Sequence, residues 1–200
     1  MSESSDELRR RLTAERRGLS AEEVLRRSEK IRENFLGHFA DKIEDDTLLG
    51  LYRPSEPNTE NEPDPMPLLR TDAFARSHFA FPRVLNRFHR SMDFAIPIHA
   101  SDWALGIYGL LEPRHELPGL KAEDIDVLII PGVAFGVKGE RIGRGVGFYD
   151  RFLNEARGAL RVAFAYDFQV LAKAIPQETW DAPVDWIITD QRVIETHARL

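Results

Sequence analysis

Cysteine is absent from the 200-residue chain. That excludes disulfides, thiolate metal sites, iron–sulfur clusters and a Cys nucleophile, and it suits a reducing compartment. No apolar run reaches the length of a membrane span. The polar N-terminus lacks the apolar segment of a secretory signal, so a cytoplasmic protein without membrane contact is expected. A basic excess is missing too: 27 Lys and Arg against 33 Asp and Glu give a net charge of −6. This argues against bulk binding to nucleic acid but leaves room for a local basic pocket. The six histidines show no paired spacing, so a zinc site is not expected. No G-x-S-x-G occurs, which argues against a hydrolase of the nucleophile-elbow type.

What is present suits a globular protein, with 42% hydrophobic and 30% charged residues. The length fits one domain over residues 1–200, its first 46 residues being helices that pack on the rest. Ser4-x-x-Glu7 and Ser20-x-x-Glu23 are capping-box patterns, in which each side chain satisfies the other's free backbone N–H. After the first come Leu8 and Leu12. After the second, Val24, Ser28, Ile31, Phe35 and Phe39 recur at helical spacing, one buried stripe of a long amphipathic helix.

From Thr47 the period changes. Strands are expected over Leu48–Tyr52, Phe79–Val84 (ending near Pro82), Met92–Ile96, Ile125–Ile130, Leu160–Tyr166 and Val184–Thr189, with a last short one after Arg192. Helices are expected over Met66–Arg76, Phe148–Arg157 and Gln169–Ala174. The loop from Arg53 to Pro67 holds five prolines, which leave it few conformations to lose. Strand–helix alternation with a near-continuous apolar run at 125–130 argues for a mainly parallel sheet covered on both faces. Ligands of such folds sit in loops beyond the carboxyl ends of the strands.

The stretch from Pro131 to Asp150 carries the chemistry. It holds six glycines, and Gly143, Gly145 and Gly147 alternate. Such glycines let backbone N–H groups approach a phosphate with no Cβ in the way. Arg141 and Arg144 can supply forked hydrogen bonds to phosphate oxygens, and the loop runs into a helix N-terminus that favours anions. Asp150 beside such a cradle is suited to hold Mg²⁺. A bare G-x-G-x-G leaves phosphate binding and a plain turn equally open. The string is neither a P-loop, lacking Gly-Lys-Ser/Thr, nor a Rossmann fingerprint, since it starts about a dozen residues after its strand.

The full string Gly139-Glu140-Arg141-Ile142-Gly143-Arg144-Gly145-Val146-Gly147-Phe148-Tyr149-Asp150-Arg151 resembles the signature of the 5-formyltetrahydrofolate cyclo-ligase family, also called 5,10-methenyltetrahydrofolate synthetases. Leu8-Arg9, Glu62-Pro63-Asp64, Phe81-Pro82-Arg83, Glu112-Pro113 and Trp180-Asp181-Ala182-Pro183 match further family elements in order, so the resemblance covers most of the chain. Three positions depart from it. Ser5 stands where members often have Lys, Val146 where many have Lys, and Gly136 where Asp is usual.

The resemblance implies an α/β fold, a three-layer α/β/α Rossmann-like sandwich of the NagB/RpiA/CoA-transferase type. It implies a monomeric ligase that uses ATP and Mg²⁺ to convert 5-formyltetrahydrofolate to 5,10-methenyltetrahydrofolate, releasing ADP and phosphate. ATP would be held by Arg9 and by Arg141, Ile142, Gly143, Arg144, Gly145, Val146, Gly147, Phe148 and Tyr149. Tyr52 and Glu62 would line the pterin and formyl side, and Arg144 to Phe148 would also border the folate. Arg144 and Tyr149 would serve catalysis, and Asp150 and Asp181 would hold the metal. Each has a plainer alternative. Asp150 could be a first-turn helix carboxylate, Asp181 a turn residue, and Glu62 a solvated loop charge. Arg9, in the run Arg9-Arg10-Arg11, could belong to a solvated helix face, and Tyr52 and Phe148 could be core aromatics. Two other functions stay open: a non-catalytic folate- or nucleotide-binding relative, favoured by Ser5 and Val146, and a sugar-phosphate isomerase or CoA-transferase relative on the same fold.

Overall fold

The computed structural model describes residues 3–197. Both capping boxes form. In α1 (Ser5–Arg17) the Glu7 N–H donates to Ser4 Oγ and the Ser4 N–H to Glu7 Oε2. In α2 (Ala21–Phe39) Ser20 and Glu23 make the same exchange. The stripe on α2 is buried at Ser28, Ile31, Phe35 and Phe39, while Val24 at its start is half-buried. Phe35 packs edge-on against Phe164 at 5.4 Å and tilted against Phe74 at 6.0 Å, so the stripe docks α2 onto the sheet.

Seven strands form that sheet: β1 (Leu48–Gly50), β2 (His78–Asn86), β3 (Ser91–Ala95), then β6 (Val127–Ile130), β9 (Leu160–Phe164), β11 (Trp186–Ile188) and β12 (Val193–Glu195). The remaining strands, β4 (Trp103–Leu105), β5 (Leu111–Pro113), β7 (Ala134–Gly136), β8 (Arg141–Ile142) and β10 (Val170–Leu171), lie in two small sheets. The large sheet runs β12-β11-β9-β6-β1-β2-β3. Its five central strands pair in parallel and both edge strands antiparallel. Central β6 is buried at every residue. Val127 and Ile129 face the cluster around Ile31 and Phe35 of α2, and Leu128 and Ile130 face Phe152 and Leu153 of α3 (Phe148–Glu155). Alternation across the strand thus puts a helix on each face, as expected for a strand buried on both sides. No helix among the described residues is long and apolar enough to cross a membrane.

Four expectations change. β2 runs through Pro82 to Asn86 rather than ending there. Its pairing with β1 stops at Ala80, so the N–H that Pro82 lacks removes nothing from the ladder on that side. Residues 169–174 are not a helix: Asp167–Gln169 is one 3-10 turn and β10 pairs in parallel with β7. Six residues give too few hydrogen bonds to repay helix nucleation when a strand edge lies alongside. Met66–Arg76 splits into two 3-10 turns, Met66–Arg70 and Asp72–Phe74, parted at Thr71. The glycine string holds a hairpin, β7 with β8, where a loop was expected.

The proline-rich loop is tied to the end of α1. The Asn61 amide donates to the carbonyls of Arg16, Arg17 and Leu19, the orphan acceptors of a helix C-terminus. Arg16, 1% exposed, reaches back to the carbonyls of Glu60 and Gly132. One buried guanidinium therefore joins α1, the loop and the segment after β6.

Candidate active site

Beyond the carboxyl ends of β1 and β6 lies a cavity of about 420 Å³. One wall is the glycine loop and the first turn of α3. The facing walls come from Tyr52 and Arg53 after β1, Phe81 to Val84 of β2, and the β4–β5 hairpin with Tyr108 and Leu110 to Glu112.

On the glycine wall Gly145 and Gly147 have φ of +88° and +81°. This left-handed backbone is strained for any residue with a Cβ. Gly147 is the N-cap of α3 and offers no side-chain cap, which leaves the first-turn N–H groups of the helix open to an anion. Arg144 is half-exposed on this wall, and its Nη2 lies 2.8 Å from Glu62 Oε1. Arg141 is buried, ion-paired through Nη2 to Asp150 Oδ1 and set 5.9 Å from the Tyr149 ring centroid. The Tyr149 hydroxyl is buried with no hydrogen-bond partner among the described residues. Burial first, and then the Glu62 charge, hold its pKa well above the ordinary phenol value despite Arg141 and Arg144.

The two substrate-side residues lie together. Tyr52 donates its hydroxyl to the Pro63 carbonyl, and burial, assisted by the Glu62 charge, keeps it a phenol. Glu62 is 7% exposed and sits between Arg144 and Arg16, the latter 4.0 Å away. The reading of Glu62 as a solvated loop charge is therefore wrong.

Other expected site residues lie elsewhere. Arg9 reaches the glycine loop without lining the cavity: its Nε donates to the Gly143 carbonyl at 3.0 Å, and Asp6 takes its Nη1. It braces the loop from outside. Ile142 is not on the wall either. It is buried with Leu8, Leu12 and Val133 in a core that fixes α1 to the β7–β8 hairpin, because Arg141, its one neighbour on the two-residue strand, points the other way, to the cavity. Asp181 caps a turn, accepting the Glu178 N–H at 2.8 Å, and is absent from the cavity. Asp150 lines it, but its Oδ1 is taken by Arg141 and, at 3.5 Å, by the Ala182 N–H. The described residues contain no group of three or more potential metal ligands. Of the two carboxylates expected to hold the metal, Asp150 lines the cavity and Asp181 does not.

Among the lining residues that were not candidates are Arg53, Tyr108 and Glu112. Arg53 stacks on Trp103 at 4.8 Å, and Tyr108 packs edge-on against Phe148 at 5.9 Å. Glu112 accepts the Val84 N–H at 3.0 Å, and burial raises its carboxyl pKa, with the Val84 bond and His115 pulling the other way. Its signal in the sequence is the Glu112-Pro113 pair. At Gly136 an added Cβ would stand 2.2 Å from Glu140 Oε2, so the Glu140 carboxylate fills the space of a side chain at 136.

Residues 1–190 match the 5-formyltetrahydrofolate cyclo-ligase family. An Escherichia coli K12 5-formyltetrahydrofolate cyclo-ligase is 42% identical over 87 residues, 42% of this chain and 46% of that one. A Saccharomyces cerevisiae enzyme of the same name is 41% identical over 91 residues, covering 42% and 41%. The chain thus spans less than half the length of these curated relatives. The solved structure of Aquifex aeolicus 5,10-methenyltetrahydrofolate synthetase superposes with a TM-score of 0.79 at 31% identity, covering 96% of this chain and 93% of that one. A Mycoplasma pneumoniae synthetase shares the fold, with a TM-score of 0.72 at 23% identity over 94% and 99%.

Proposed function

The chain belongs to the 5-formyltetrahydrofolate cyclo-ligase family, and we propose that it closes 5-formyltetrahydrofolate to 5,10-methenyltetrahydrofolate at the expense of ATP. What supports this most is a single juxtaposition. Left-handed Gly145 and Gly147, the uncapped first turn of α3 and Arg144 share one wall of a cavity whose opposite wall is largely apolar. The first wall suits phosphates and the second suits a flat ring system.

The chemistry asks little covalent work of the protein. The formamide oxygen attacks the γ-phosphorus of ATP, and the bond to the ADP oxygen breaks. N10 then attacks the activated carbon, the carbon–oxygen bond breaks, and phosphate leaves as N10 loses its proton. Positioning and charge stabilisation dominate such phosphoryl transfer. The loop and first-turn N–H groups bind the phosphates. Arg144 meets the charge of the moving phosphoryl group, while Glu62 aims its guanidinium across the cavity. Tyr149 offers its hydroxyl, unpartnered among the described residues, to a phosphate oxygen. A magnesium ion carried by the nucleotide would neutralise charge beside Asp150. Arg9 acts at one remove, by holding the Gly143 carbonyl.

The test is the near-ultraviolet absorbance of the methenyl product after mixing protein, 5-formyltetrahydrofolate, ATP and Mg²⁺. A rise that needs ATP and is lost in Arg144→Ala supports the reading. Folate binding without any rise points to a non-catalytic relative.

A further inference from the structure

Three carboxylates line the cavity, and two are neutralised. Glu62 is paired with Arg144, and Asp150 with Arg141. Glu112 has no ion pair among the described residues, and its one bond leaves Oε1 uncommitted. It is nevertheless fixed in place. The Val84 N–H holds Oε2, and the backbone of Gly106 lies so close that a Cβ there would be 2.3 Å from the Glu112 carboxyl carbon. Val84, Met92, Tyr108, Leu110 and Leu111 line the cavity with it, as do Arg53 and Arg83, the latter ion-paired to Asp93. An unpaired carboxylate on a largely apolar cavity wall suits neutral N–H donors of a ligand that takes the place of water at Oε1.

We propose that Glu112 is the specificity-determining residue for the pterin end of the substrate, accepting hydrogen bonds from the ring N3–H and the 2-amino group. This rests on the folate reading above. The substrate's glutamyl carboxylates would be repelled by Glu112, and its carbonyls offer no donor. The N3–H and 2-amino edge is the one place where it presents two adjacent N–H donors, matching the fork of a carboxylate as Glu and Asp match amino groups of bases. Oε1 and the second lone pair of Oε2 take the two donors. The pterin then enters along the β4–β5 hairpin, which leaves the glycine wall to the nucleotide.

Calorimetric titration of 5-formyltetrahydrofolate, ATP, pterin and lumazine (which carries an oxo group in place of the 2-amino group) tests this on the full chain. Glu112→Gln keeps an acceptor for the Val84 N–H but turns one acceptor into a donor. The expected result is a folate Kd weakened roughly ten- to hundredfold, an unchanged ATP Kd and a melting midpoint that is not lowered. The wild-type preference for pterin over lumazine should vanish. If the variant does not fold, the wild-type preference alone decides, and equal affinity for the two rings overturns the proposal. Folate binding unchanged in Glu112→Gln overturns it while leaving the folate reading intact. So does weaker binding of folate and ATP together with a lowered midpoint, which marks a purely structural residue. No folate binding by the wild type refutes both.

Discussion

Replacing Tyr149 by Phe should move stability and activity in opposite directions. Its hydroxyl is buried without a partner among the described residues, and such an orphan costs about 1–3 kcal/mol. The ring is only half-buried, so the relief on removing the hydroxyl falls at the low end, about 1 kcal/mol. For a chain of this size that is a rise of about 2–4 °C in Tm. On the proposed reading the same hydroxyl meets a phosphate oxygen of bound ATP, and a hydrogen bond to a charged group contributes about 1.5–3 kcal/mol. kcat/KM should therefore fall roughly tenfold to a hundredfold, with most of the loss in kcat if the bond strengthens as charge moves onto the phosphoryl oxygens. Scanning calorimetry of the free protein and the ATP-dependent absorbance assay give the two numbers. A lowered Tm would show that the hydroxyl is bonded in the free protein. A raised Tm with unchanged turnover would show that the orphan serves no ligand. Either result refutes the reasoning.

Arg16→Ala should cost about 1–3 kcal/mol in a urea titration, because it orphans the Glu60 carbonyl and leaves Glu62 to Arg144 alone; no measurable loss would contradict its role as the joint between α1 and the loop. Gly136→Asp should destabilise by about 1–3 kcal/mol through its clash with Glu140, and Glu140→Ala in the same chain should restore most of the loss; additive effects would contradict the shared space. Burial raises the Glu112 pKa, so the folded state holds this proton more tightly than the unfolded state. Its destabilising effect is absent below the unfolded value, grows as pH rises through the folded value and is complete above it. Melting midpoints across that window should fall less steeply in Glu112→Gln than in the wild type, and identical slopes would contradict the shift.

Much of this was legible in advance where the sequence carries a period or a reciprocal pair. The capping boxes fixed the starts of α1 and α2, since each needs two residues three apart. The stripe from Val24 to Phe39 named the face of α2 that meets the sheet, and the run at 125–130 marked the central strand. The strands of the two small sheets escaped, because β4, β5, β7, β8 and β10 have two or three residues each and form only where a partner edge is offered. Residues acting through tertiary contact were also hidden. Arg16 looks like any basic residue at a helix end, and only the fold shows it buried beneath the loop. Ile142 and Asp181 lie inside motifs that point to ligands, yet core packing claims one side chain and a turn claims the other. Glu62 shows the converse, a loop charge that folding buries between two arginines.

Isotope transfer tests the central claim most directly. With oxygen-18 in the formyl group of 5-formyltetrahydrofolate, phosphorylation of that oxygen predicts that the label ends in the inorganic phosphate, one labelled phosphate for each methenyl product formed. Unlabelled phosphate, with the label released to water, would contradict it.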